Sequence, residues 1–329
     1  MKILKDSFNK KTVLITGIYG QDAYFLSKSL IKSGYTVFGT TRKKKKSYVN
    51  QFVKEKNIFE LNIEDYDQIA PLLKKIDPNY IYHLSAQSSV ALSFLNPDQT
   101  KDSIIKPTLN LLRYLKNSPK KIKFYNACSS ECFGDTNGID SNELTPFNPI
   151  SPYGVYKSEA FNLVKSYREK YSLNLRSGIL FNHESEIRSE AYVTQKIVHA
   201  AYKASQNKID KLEIGNVLIK RDWGYAPEYV EAMRLINELD HNEDFIVATG
   251  HSFSLENFLE IAFNYFGLDF KDYVKTNKKF FREKEIINSS ADPSKISNKL
   301  GWNASIYHEK LVEKLCKSIE EESFISKRL

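Results

Sequence analysis

TVLITGIYGQDA occupies residues 12–23 and joins a strand pattern to a helix pattern through a glycine-containing turn. The β-branched run TVLITG predicts a strand, and the apolar spacing of AYFLSKSLIKSG predicts the helix that follows. Gly17 and Gly20 stand where the turn must tighten and where backbone must approach a pyrophosphate closely. Ala23 takes the third glycine position, where helix packs on strand. The stretch therefore predicts a dinucleotide-binding unit, the alternative being an ordinary turn between strand and helix.

Strand and helix patterns alternate through the first half of the chain. Further strands are predicted over TVFGTT, NIFELNI, NYIYHLSA and KFYNACSS, and helices over YDQIAPLLKKI and KPTLNLLRYLKN. This alternation predicts an α/β fold with a doubly wound parallel sheet of Rossmann type. LNLRSGILFN is a candidate sixth strand. Beyond it, helices are predicted near residues 193–206, 227–239, 254–266 and 307–320.

The length of 329 residues suffices for one large domain or two moderate ones. We expect residues 1–180 to form the dinucleotide-binding domain, with a later segment at about 216–250 returning to it, and residues 181–329 to form mainly a smaller substrate-binding lobe. A hydrophobic fraction of 41% argues against a disordered class. The sequence shows no apolar run of membrane-span length and no signal-peptide pattern, so we expect a soluble, cytoplasmic protein without membrane contact.

The three cysteines are too few for a disulfide framework. Cys128 and Cys132 have the spacing of half a metal site, but no second Cys or His pair accompanies them. We therefore expect free thiols and no metal. The net charge of +8 is partly concentrated in the basic run at residues 42–46. No interleaved aromatic or glycine-rich pattern surrounds this run, so nucleic-acid binding is not favoured.

The end of the second predicted strand bears on the choice of cofactor. A dinucleotide site needs a partner for the adenosine ribose about twenty residues after its glycines, and an acidic residue there suits NAD. The segment GTTRKKKK offers no acid. Arg42, helped by Lys43, suits a 2′-phosphate instead. NADP is therefore favoured over NAD, and the later lysines are expected to form a solvated loop.

The segment SPYGVYKSEA, residues 151–160, contains a candidate catalytic base. Tyr153 lies four residues before Lys157, so both side chains share one face of a helix. A lysine ammonium, together with the positive charge of an oxidised nicotinamide, stabilises a phenolate. Tyr156 points about 100° away from Lys157 on a helix. Tyr153 is therefore the candidate base, and Tyr156 is expected to be a packing or surface aromatic.

Polar residues follow the fifth predicted strand. Ser129, Ser130 and Glu131 stand at the carboxyl end of this strand, where open α/β sheets place their active sites. A serine there can hold a substrate hydroxyl, and a carboxylate there can transfer protons. The alternative is a turn at the strand end with polar caps.

Taken together, these segments resemble the extended short-chain dehydrogenases, and more closely the GDP-mannose 4,6-dehydratase family. The resemblance covers nearly the whole chain, and LFNHES and KRDWG are more specific than the Tyr–Lys pair. The segments that carry it are GIYGQDA, HLSAQSSV (83–90), SSECFG, SPYGVYK, LFNHES (180–185), YVTQKI (192–197), IGNVLIKRDWGYAPEYVEAM (214–233), VATGHSFSLENF (247–258) and DPSKISNKLGW (292–302).

The resemblance implies a dehydration in three stages: oxidation of a sugar at C4, loss of water from C5 and C6, and return of hydride to C6. It implies that Tyr153, with Lys157, acts as base on the C4 hydroxyl. It also implies that Ser129 bonds the C4 oxygen and that Glu131 removes the C5 proton. The implied substrate is a GDP-sugar, first of all GDP-mannose, and the implied assembly is a homo-oligomer, either a dimer or a tetramer.

Two sets of contacts follow from the motifs and the resemblance. The expected cofactor contacts are Gly17, Gly20, Gln21, Asp22, Arg42, Ala86, Tyr153 and Lys157. The expected substrate contacts are Ser88, Asn182, Glu184, Arg188, Lys196, Arg221, Arg282 and Glu285. Basic groups suit the diphosphate, and Glu285 suits ribose hydroxyls.

The sequence also departs from the family pattern. After LFNHES the family has two adjacent arginines and a glycine, whereas residues 186–190 keep only Arg188. The loop that in the family reaches a neighbouring subunit reads KKKKSYVNQF here. Another GDP-sugar, a heptose or an N-acetylhexosamine, therefore stays an alternative substrate. A nucleotide-sugar 4-dehydrogenase, epimerase or reductase, which needs no base at C5, and a non-catalytic NADP-binding regulator are further alternatives.

Overall fold

The computed structural model describes residues 11–43, 50–209, 211–281 and 284–326, so Arg282 and residues 44–46 of the basic run lie outside the described residues. The described strands are β1 (Thr12–Thr16), β2 (Thr36–Thr41), β3 (Ile58–Glu60), β4 (Tyr80–His83), β5 (Lys123–Ser129), β6 (Leu175–Leu180), β7 (Asn182–Glu184), β8 (Leu212–Ile214), β9 (Lys220–Tyr225), β10 (Phe245–Val247), β11 (Ser252–Ser254), β12 (Val274–Thr276) and β13 (Asn288–Ser289).

The described helices are α1 (Gln21–Lys32), α2 (Tyr66–Ile76), α3 (Val90–Leu95), α4 (Pro97–Asn117), α5 (Pro152–Tyr171), α6 (Val193–Ser205), α7 (Ala226–Glu238), α8 (Leu255–Tyr265), α9 (Phe270–Tyr273), α10 (Ser294–Leu300) and α11 (His308–Ser326). Short 3₁₀ turns cover Glu55–Asn57, Ser130–Cys132 and Lys278–Phe280. None of the helices in the described ranges has both the length and the apolar composition that a membrane span requires.

The central sheet has seven parallel strands in the order β10–β6–β5–β4–β1–β2–β3. The chain runs from β1 outward through β2 to β3 and then returns to the other side of β1 as β4. This reversal opens a crevice at the carboxyl ends of β1 and β4, where sheets of this kind bind ligands. The predicted doubly wound parallel sheet is therefore confirmed.

Helices cover both faces of this sheet because its strands are apolar on both sides. Val13 and Ile15 of β1 belong to the core cluster that also contains residues of α1 and α7. Leu14, which points the opposite way, belongs to the cluster that contains residues of α2, α4 and α5. The sheet is thus the middle of three layers, and its carboxyl edge stays open between them.

A second, smaller group of elements begins after β6. β9 pairs with β7, β11 and β13 in a four-stranded sheet, and β8 pairs with β12. α6, α8 and α11 pack on one another around a core that includes Trp223, Phe258 and Leu311. Residues 226–247 instead pack with the central sheet, because α7 contacts α1 and β10 forms the sheet edge. The exact domain limits stay a prediction.

Most predicted elements are confirmed, and the differences have local causes. The four helices predicted beyond residue 182 are present as α6, α7, α8 and α11. The strand predicted over NIFELNI is shorter, because only Ile58–Glu60 pairs with β2 at the sheet edge. The helix predicted from Lys106 begins earlier, at Pro97, since proline is favoured in the first turn and Pro107 is accommodated within the helix. The short helix α3 was not predicted.

Candidate active site

The turn after β1 is tight and closely packed. The N–H of Gly17 donates to Thr40 O at 3.1 Å, and the N–H of Gly20 donates to Gly17 O at 2.8 Å. Gly17 has a φ of +74°, and a Cβ at this position would lie 3.0 Å from Ser85 Cα in the loop after β4. Glycine is therefore required for both the backbone conformation and the close approach of the two loops.

Helix α1 begins immediately after this turn. Gly20 is its N-cap and makes no side-chain hydrogen bond to the first turn. The first N–H groups of a helix carry partial positive charge and are suited to a phosphate. Ala23 is buried, as expected for a position where the helix packs on the sheet. This end of the crevice therefore fits the pyrophosphate of a dinucleotide.

A cleft of about 690 Å³ lies over the carboxyl ends of β1, β2 and β4. Its volume is typical of small-molecule and cofactor sites. The predicted site residues that line it are Gly17, Gly20, Gln21, Asp22, Arg42, Ala86, Ser88 and Arg188. The structure therefore brings the predicted cofactor contacts together in one cleft, except for Tyr153 and Lys157, which are not among its lining residues.

Arg42 lies at the rim of this cleft. Its side chain is 62% exposed, and its Nη1 lies 3.9 Å from Glu64 Oε1. An exposed ion pair at this distance contributes little to stability, so the guanidinium can turn to an anionic ligand. Glu64 also lines the cleft, although it follows β3 rather than β2. The rim therefore offers a cation suited to a 2′-phosphate and also a carboxylate suited to a 2′-hydroxyl.

Gln21 and Asp22 connect the glycine turn to β7. The Nε2 of His183 lies 3.1 Å from both carboxylate oxygens of Asp22. Gln21 donates to the carbonyl of His183 at 3.1 Å and accepts from the hydroxyl of Ser185 at 2.7 Å. The first turn of α1 is thus attached by three side-chain contacts to the segment LFNHES.

Asp22 and His183 form an ion pair. Burial by itself would raise the pKa of Asp22, but the charge and hydrogen bond of His183 hold it at about 2. Burial by itself would lower the pKa of His183, and the Asp22 carboxylate raises it above its ordinary value on balance. The His183 ring also stacks on Tyr229, with centroids 4.7 Å apart. The pair therefore joins the cofactor side of the cleft to β7 electrostatically.

Ser129, Tyr153 and Lys157 lie together near the carboxyl end of β5. Tyr153 is buried in the first turn of α5 and shares a hydrogen bond with Ser129. The Nζ of Lys157 lies 5.8 Å from the centroid of the Tyr153 ring and donates to Ala127 O at 2.9 Å. The two side chains expected on one helix face are therefore adjacent, and a carbonyl of β5 holds the ammonium.

The protonation of this group depends strongly on burial. Burial raises the pKa of the Tyr153 phenol, and the hydrogen bond with Ser129 acts in the opposite direction. Burial also lowers the pKa of Lys157. A phenolate at Tyr153 therefore needs more positive charge nearby than Lys157 supplies alone.

Glu131 lies in the 3₁₀ turn Ser130–Cys132, directly after β5. Its Oε2 accepts a hydrogen bond from the hydroxyl of Ser151 at 3.3 Å. Ser151 is the buried N-cap of α5 and also accepts from the N–H of Gly154 at 3.1 Å. A Cβ on Gly154 would lie 2.6 Å from the Glu131 carbonyl oxygen. Glu131 is therefore packed against the first turn of the helix that carries Tyr153.

Several predicted substrate contacts form one chain of interactions. Glu184 is buried, accepts from the hydroxyl of Thr194 at 2.7 Å and lies 3.5 Å from Nε of Arg188. The Arg188 guanidinium lies 3.8 Å from the centroid of the Tyr192 ring. The Tyr192 hydroxyl shares a hydrogen bond of 2.7 Å with Ser88. These contacts connect the loop after β4 with the loop after β7.

Other predicted substrate contacts lie near the smaller sheet. Arg221 of β9 is buried, and its Nη2 lies 3.5 Å from Glu285 Oε1. Lys196 of α6 donates to the carbonyl of Glu213 at 2.8 Å. The predicted substrate contacts outside the lining of the cleft are Asn182, Glu184, Lys196, Arg221 and Glu285. Arg282 lies outside the described residues, so the predicted set forms separate groups in this structure.

Cys128 and Cys132 are buried free thiols whose Sγ atoms lie 3.5 Å apart. They flank the segment that carries Ser129 and Glu131. Within the described ranges, no three His, Cys, Asp or Glu side chains are grouped as metal ligands would be.

Two residues of this site were not predicted from the sequence. Ser151 stands directly before Pro152, a common signal for the start of a helix, so its capping role could have been predicted. The hydrogen bond of Ser151 to Glu131 could not be predicted, because the two residues are 20 positions apart. No local signal points to the pairing of His183 with Asp22, which are 161 positions apart.

Solved structures share this fold at low sequence identity. The dTDP-glucose 4,6-dehydratase from Bacillus anthracis str. Ames, in complex with NAD, has a TM-score of 0.82 and 18% identity, covering 95% of this chain and 98% of that chain. The protein RMD from Pseudomonas aeruginosa, complexed with NADPH, has a TM-score of 0.80 and 17% identity, covering 95% of this chain and 100% of that chain. At these identities the likeness concerns the fold alone.

Sequence comparison is more specific. The chain is 38% identical to GDP-mannose 4,6 dehydratase 1 from Arabidopsis thaliana, over 97% of this chain and 91% of that protein. The family model described as GDP-mannose 4,6 dehydratase matches residues 14–315. This match includes the glycine turn, the strand end with Glu131 and the helix with Tyr153 that the structure brings to one edge of the sheet. The chain therefore belongs to the GDP-mannose 4,6-dehydratase family.

Proposed function

We propose that this chain is a GDP-sugar 4,6-dehydratase that converts GDP-mannose to GDP-4-keto-6-deoxymannose. The observation that carries this proposal is the position of Glu131, whose carboxylate is held against the first turn of the helix that carries Tyr153. Oxidation at C4 needs a base at the C4 hydroxyl, and elimination needs a second base at C5. A tyrosine and a carboxylate on adjoining elements supply these two bases.

The cleft fits a nicotinamide dinucleotide. The turn with Gly17 and Gly20, together with the N-terminus of α1, would hold its pyrophosphate. The rest of the dinucleotide would contact other residues that line the cleft, namely Gln21, Asp22 and Ala86. Arg42, with Lys43, would hold the 2′-phosphate of NADP, which we favour over NAD. When bound, the dinucleotide would supply the redox chemistry, as acceptor of a hydride from C4 and donor of a hydride to C6.

Tyr153 carries out the first proton transfer, in which it removes the proton of the C4 hydroxyl. Lys157 supplies one of the positive charges that a buried phenolate requires. Ser129, which shares a hydrogen bond with Tyr153, holds the C4 oxygen. This arrangement orients the C4 oxygen between a hydroxyl and a phenol.

The elimination belongs to Glu131. A carbonyl at C4 acidifies the C5 proton, which Glu131 removes. Glu131 then passes a proton to the departing C6 hydroxyl, which leaves as water. The sugar thus loses one hydrogen from C5 and one hydroxyl from C6. A hydride at C6 and a proton at C5 would then complete the 4-keto-6-deoxy sugar. The proton that Tyr153 took from the C4 hydroxyl balances the proton added at C5.

The nucleotide would be held by the predicted substrate contacts. Arg188, Lys196 and Arg221 carry charges suited to the diphosphate, and Glu285 has acceptor oxygens suited to ribose hydroxyls. Arg221 and Glu285 already form a pair at 3.5 Å, which orients both side chains. The remaining members of the proposed set are Ser88, Asn182, Glu184 and Arg282.

The test is incubation of the purified protein with GDP-mannose, followed by mass spectrometry. We expect a product lighter by one water, formed without any added reductant. An unchanged GDP-mannose, together with water loss from another GDP-sugar, would contradict the proposed substrate. A product that has lost two hydrogens, or an isomer of unchanged mass, would indicate an enzyme that works at C4 without elimination.

The role of Glu131 is tested by Glu131→Gln. Glutamine has nearly the same shape but cannot take the C5 proton, so water loss should fall by at least about a hundredfold. The matched control is Glu159→Gln, which changes an exposed glutamate on α5 and should leave activity unchanged. A Glu131→Gln variant that dehydrates at the rate of the wild type would contradict the mechanism.

We also propose that the chain is a cytoplasmic homo-oligomer, a dimer or a tetramer. Leu92 and Leu95 of α3 and Val155 of α5 are exposed apolar side chains, and these two helices contact each other. A second copy that covers these side chains would remove apolar area from water. Light scattering of the purified protein should give the mass of a dimer or tetramer, and a monomer would contradict the proposal.

A further inference from the structure

We propose that Ser151 is a positioning residue that holds the Glu131 carboxylate in place for removal of the C5 proton. This inference rests on the dehydration proposed above. Ser151 acts through Glu131, because its hydroxyl bonds the carboxylate and it lies in the N-cap of α5.

The hydroxyl of Ser151 is the donor in its bond to Glu131, because a carboxylate can only accept. A serine hydroxyl has one hydrogen and two lone pairs. The N–H of Gly154 donates to Ser151 Oγ at 3.1 Å and occupies a lone pair. The hydroxyl hydrogen is then directed to Oε2 of Glu131, at 3.3 Å. Ser151 is 2% exposed, so bulk water does not compete for this hydrogen.

The backbone of Glu131 is held independently. Its N–H donates to Ser129 Oγ at 3.3 Å. Its carbonyl oxygen is packed so closely on Gly154 that a Cβ there would lie 2.6 Å away. With the backbone held and Oε2 bonded to Ser151, the orientation of the carboxylate is restricted. We assign Oε1 to the C5 proton.

This arrangement couples the two proposed bases. Ser151 caps the helix in which Tyr153 stands two residues later, and the same hydroxyl bonds Glu131. The separation between the base for C4 and the base for C5 is therefore fixed at the start of α5. A change in the Ser151 hydroxyl should disturb the C5 step more than the C4 step, provided that the helix cap is kept.

Two variants that have the same shape as each other separate the helix cap from the hydrogen bond to Glu131. Both Ser151→Asp and Ser151→Asn introduce good N-cap residues, whose side-chain oxygen can accept from Gly154 N–H. Only asparagine also has N–H groups that can donate to Glu131. Aspartate has none and places a second negative charge beside the carboxylate. Ser151→Ala, which loses both interactions, and Ser151→Thr, which keeps both, complete the series.

The readout is the kinetic isotope effect with GDP-mannose deuterated at C4 or at C5. For Ser151→Asp we expect kcat roughly tenfold or more below that of Ser151→Asn. We expect its isotope effect to increase at C5 and decrease at C4, with little change in KM. Ser151→Thr should stay close to the wild type. Urea unfolding of all variants checks that each one is folded under the assay conditions.

Three results would overturn the inference. Equal kcat for Ser151→Asp and Ser151→Asn would show that only the cap matters. An isotope effect that increases at C4 instead of C5 would show that Ser151 acts through Tyr153. If Ser151→Asp does not fold, the pair Ser151→Ala and Ser151→Thr decides the question by the same isotope effects. A wild-type protein that removes water from no GDP-sugar would overturn the proposed function itself, and this inference with it.

Discussion

At the residue scale, the start of α5 shows how one small side chain and one glycine place a carboxylate. Ser151 bonds Oε2 of Glu131, and Gly154 leaves space for the Glu131 carbonyl. Tyr153 stands between these two residues in the sequence and faces Ser129. Ser151 and Gly154, which flank Tyr153 at the start of α5, therefore contribute to where both proposed bases lie.

We predict that Gly154→Ala impairs both stability and activity. The new methyl group would lie 2.6 Å from the Glu131 carbonyl oxygen and 3.0 Å from Pro149 Cβ, so backbone must shift. Overpacking of this kind lowers the free energy of unfolding by about 1–3 kcal/mol. Urea unfolding and the rate of water loss measure the two effects. Glu159→Ala on the same helix is the control, and a fully active Gly154→Ala variant would show that Glu131 tolerates displacement.

We predict that Arg42→Ala weakens binding of NADP by about tenfold while binding of NAD changes little, because only NADP carries a phosphate for the guanidinium. Titration calorimetry with both dinucleotides measures this. The control is Lys54→Ala, which removes an exposed cation that does not line the cleft. Equal losses of affinity for NADP and NAD would mean that Arg42 contacts a group that both dinucleotides share. The predicted preference for NADP would then be wrong.

At the scale of elements, the N-terminus of α1 and the strand β7 are joined by side chains rather than by a sheet. Asp22 and His183 form the ion pair, and Gln21 bonds the carbonyl of His183 and the hydroxyl of Ser185. The same turn of α1 lines the cleft. The contacts therefore connect the proposed pyrophosphate site to the segment that leads to the substrate contacts.

We predict that the stability lost in Asp22→Asn depends on pH. Asp22, with its pKa lowered from 3.8 to about 2, contributes about 2 kcal/mol above pH 4, which is lost as the pH falls through 2. His183, whose pKa is raised, contributes to the free energy of unfolding below pH 6.5. This contribution is lost as the pH rises through the raised pKa. The loss in Asp22→Asn should therefore be greater at pH 5 than at pH 9.

A double-mutant cycle with His183→Gln isolates the pair. Free energies of unfolding for the two single variants and the double variant at pH 5 should give a coupling of about 1–3 kcal/mol. When the pH is raised to 9 the coupling should decrease, because the imidazole loses its charge as the pH rises through its raised pKa. The same cycle also includes the nearby charge of Arg188, which lowers the pKa of His183. A coupling near zero at both values would show that the pair does not stabilise the fold.

At the scale of the whole molecule, Asp222 binds the backbone of the segment that connects the two sheets. β10 lies in the central sheet and β11 in the smaller one, and residues 248–251 connect them. The carboxylate of Asp222 accepts from the N–H groups of Thr249, Gly250 and His251 at 3.0, 2.8 and 3.2 Å. This buried side chain of β9 therefore fixes how the smaller sheet follows the central one.

We predict that Asp222 makes the protein less stable as the pH rises from about 4 to 7. Burial raises the pKa of Asp222 from 3.8 to about 6, against three backbone donors that lower it. A raised pKa means a contribution that is present below pH 3.8 and is lost as the pH rises through 6. It amounts to about 3 kcal/mol.

The measurement compares the wild type with Asp222→Asn by urea unfolding from pH 4 to 7. The difference in free energy of unfolding, wild type minus variant, should decrease over this range. Asp98→Asn, which changes an exposed aspartate in α4, should give a difference that does not vary. A difference that increases with pH would mean that the three N–H donors outweigh burial and that the carboxylate is charged throughout.

Local patterns in the sequence by themselves determined the fold class and the positions of most elements. The alternation of strand and helix, the glycine turn with Gly17 and Gly20, and the Tyr153–Lys157 spacing are properties of neighbouring residues. The structure confirms the parallel sheet and places the predicted cofactor turn, Ser129 and Glu131 at the carboxyl edge of its strands. The chemical roles of these residues stay predictions.

Only the tertiary structure decided which distant side chains meet. Asp22 pairs with His183 from 161 positions away, and Ser151 bonds Glu131 from 20 positions away. The rim of the cleft likewise combines Arg42 with Glu64, which the sequence separates by a strand. Such pairs depend on the register of strands and on how helices pack over them, which no local pattern encodes. The sequence thus indicated the groups that we propose to transfer protons, whereas the fold determined which residues hold these groups in place.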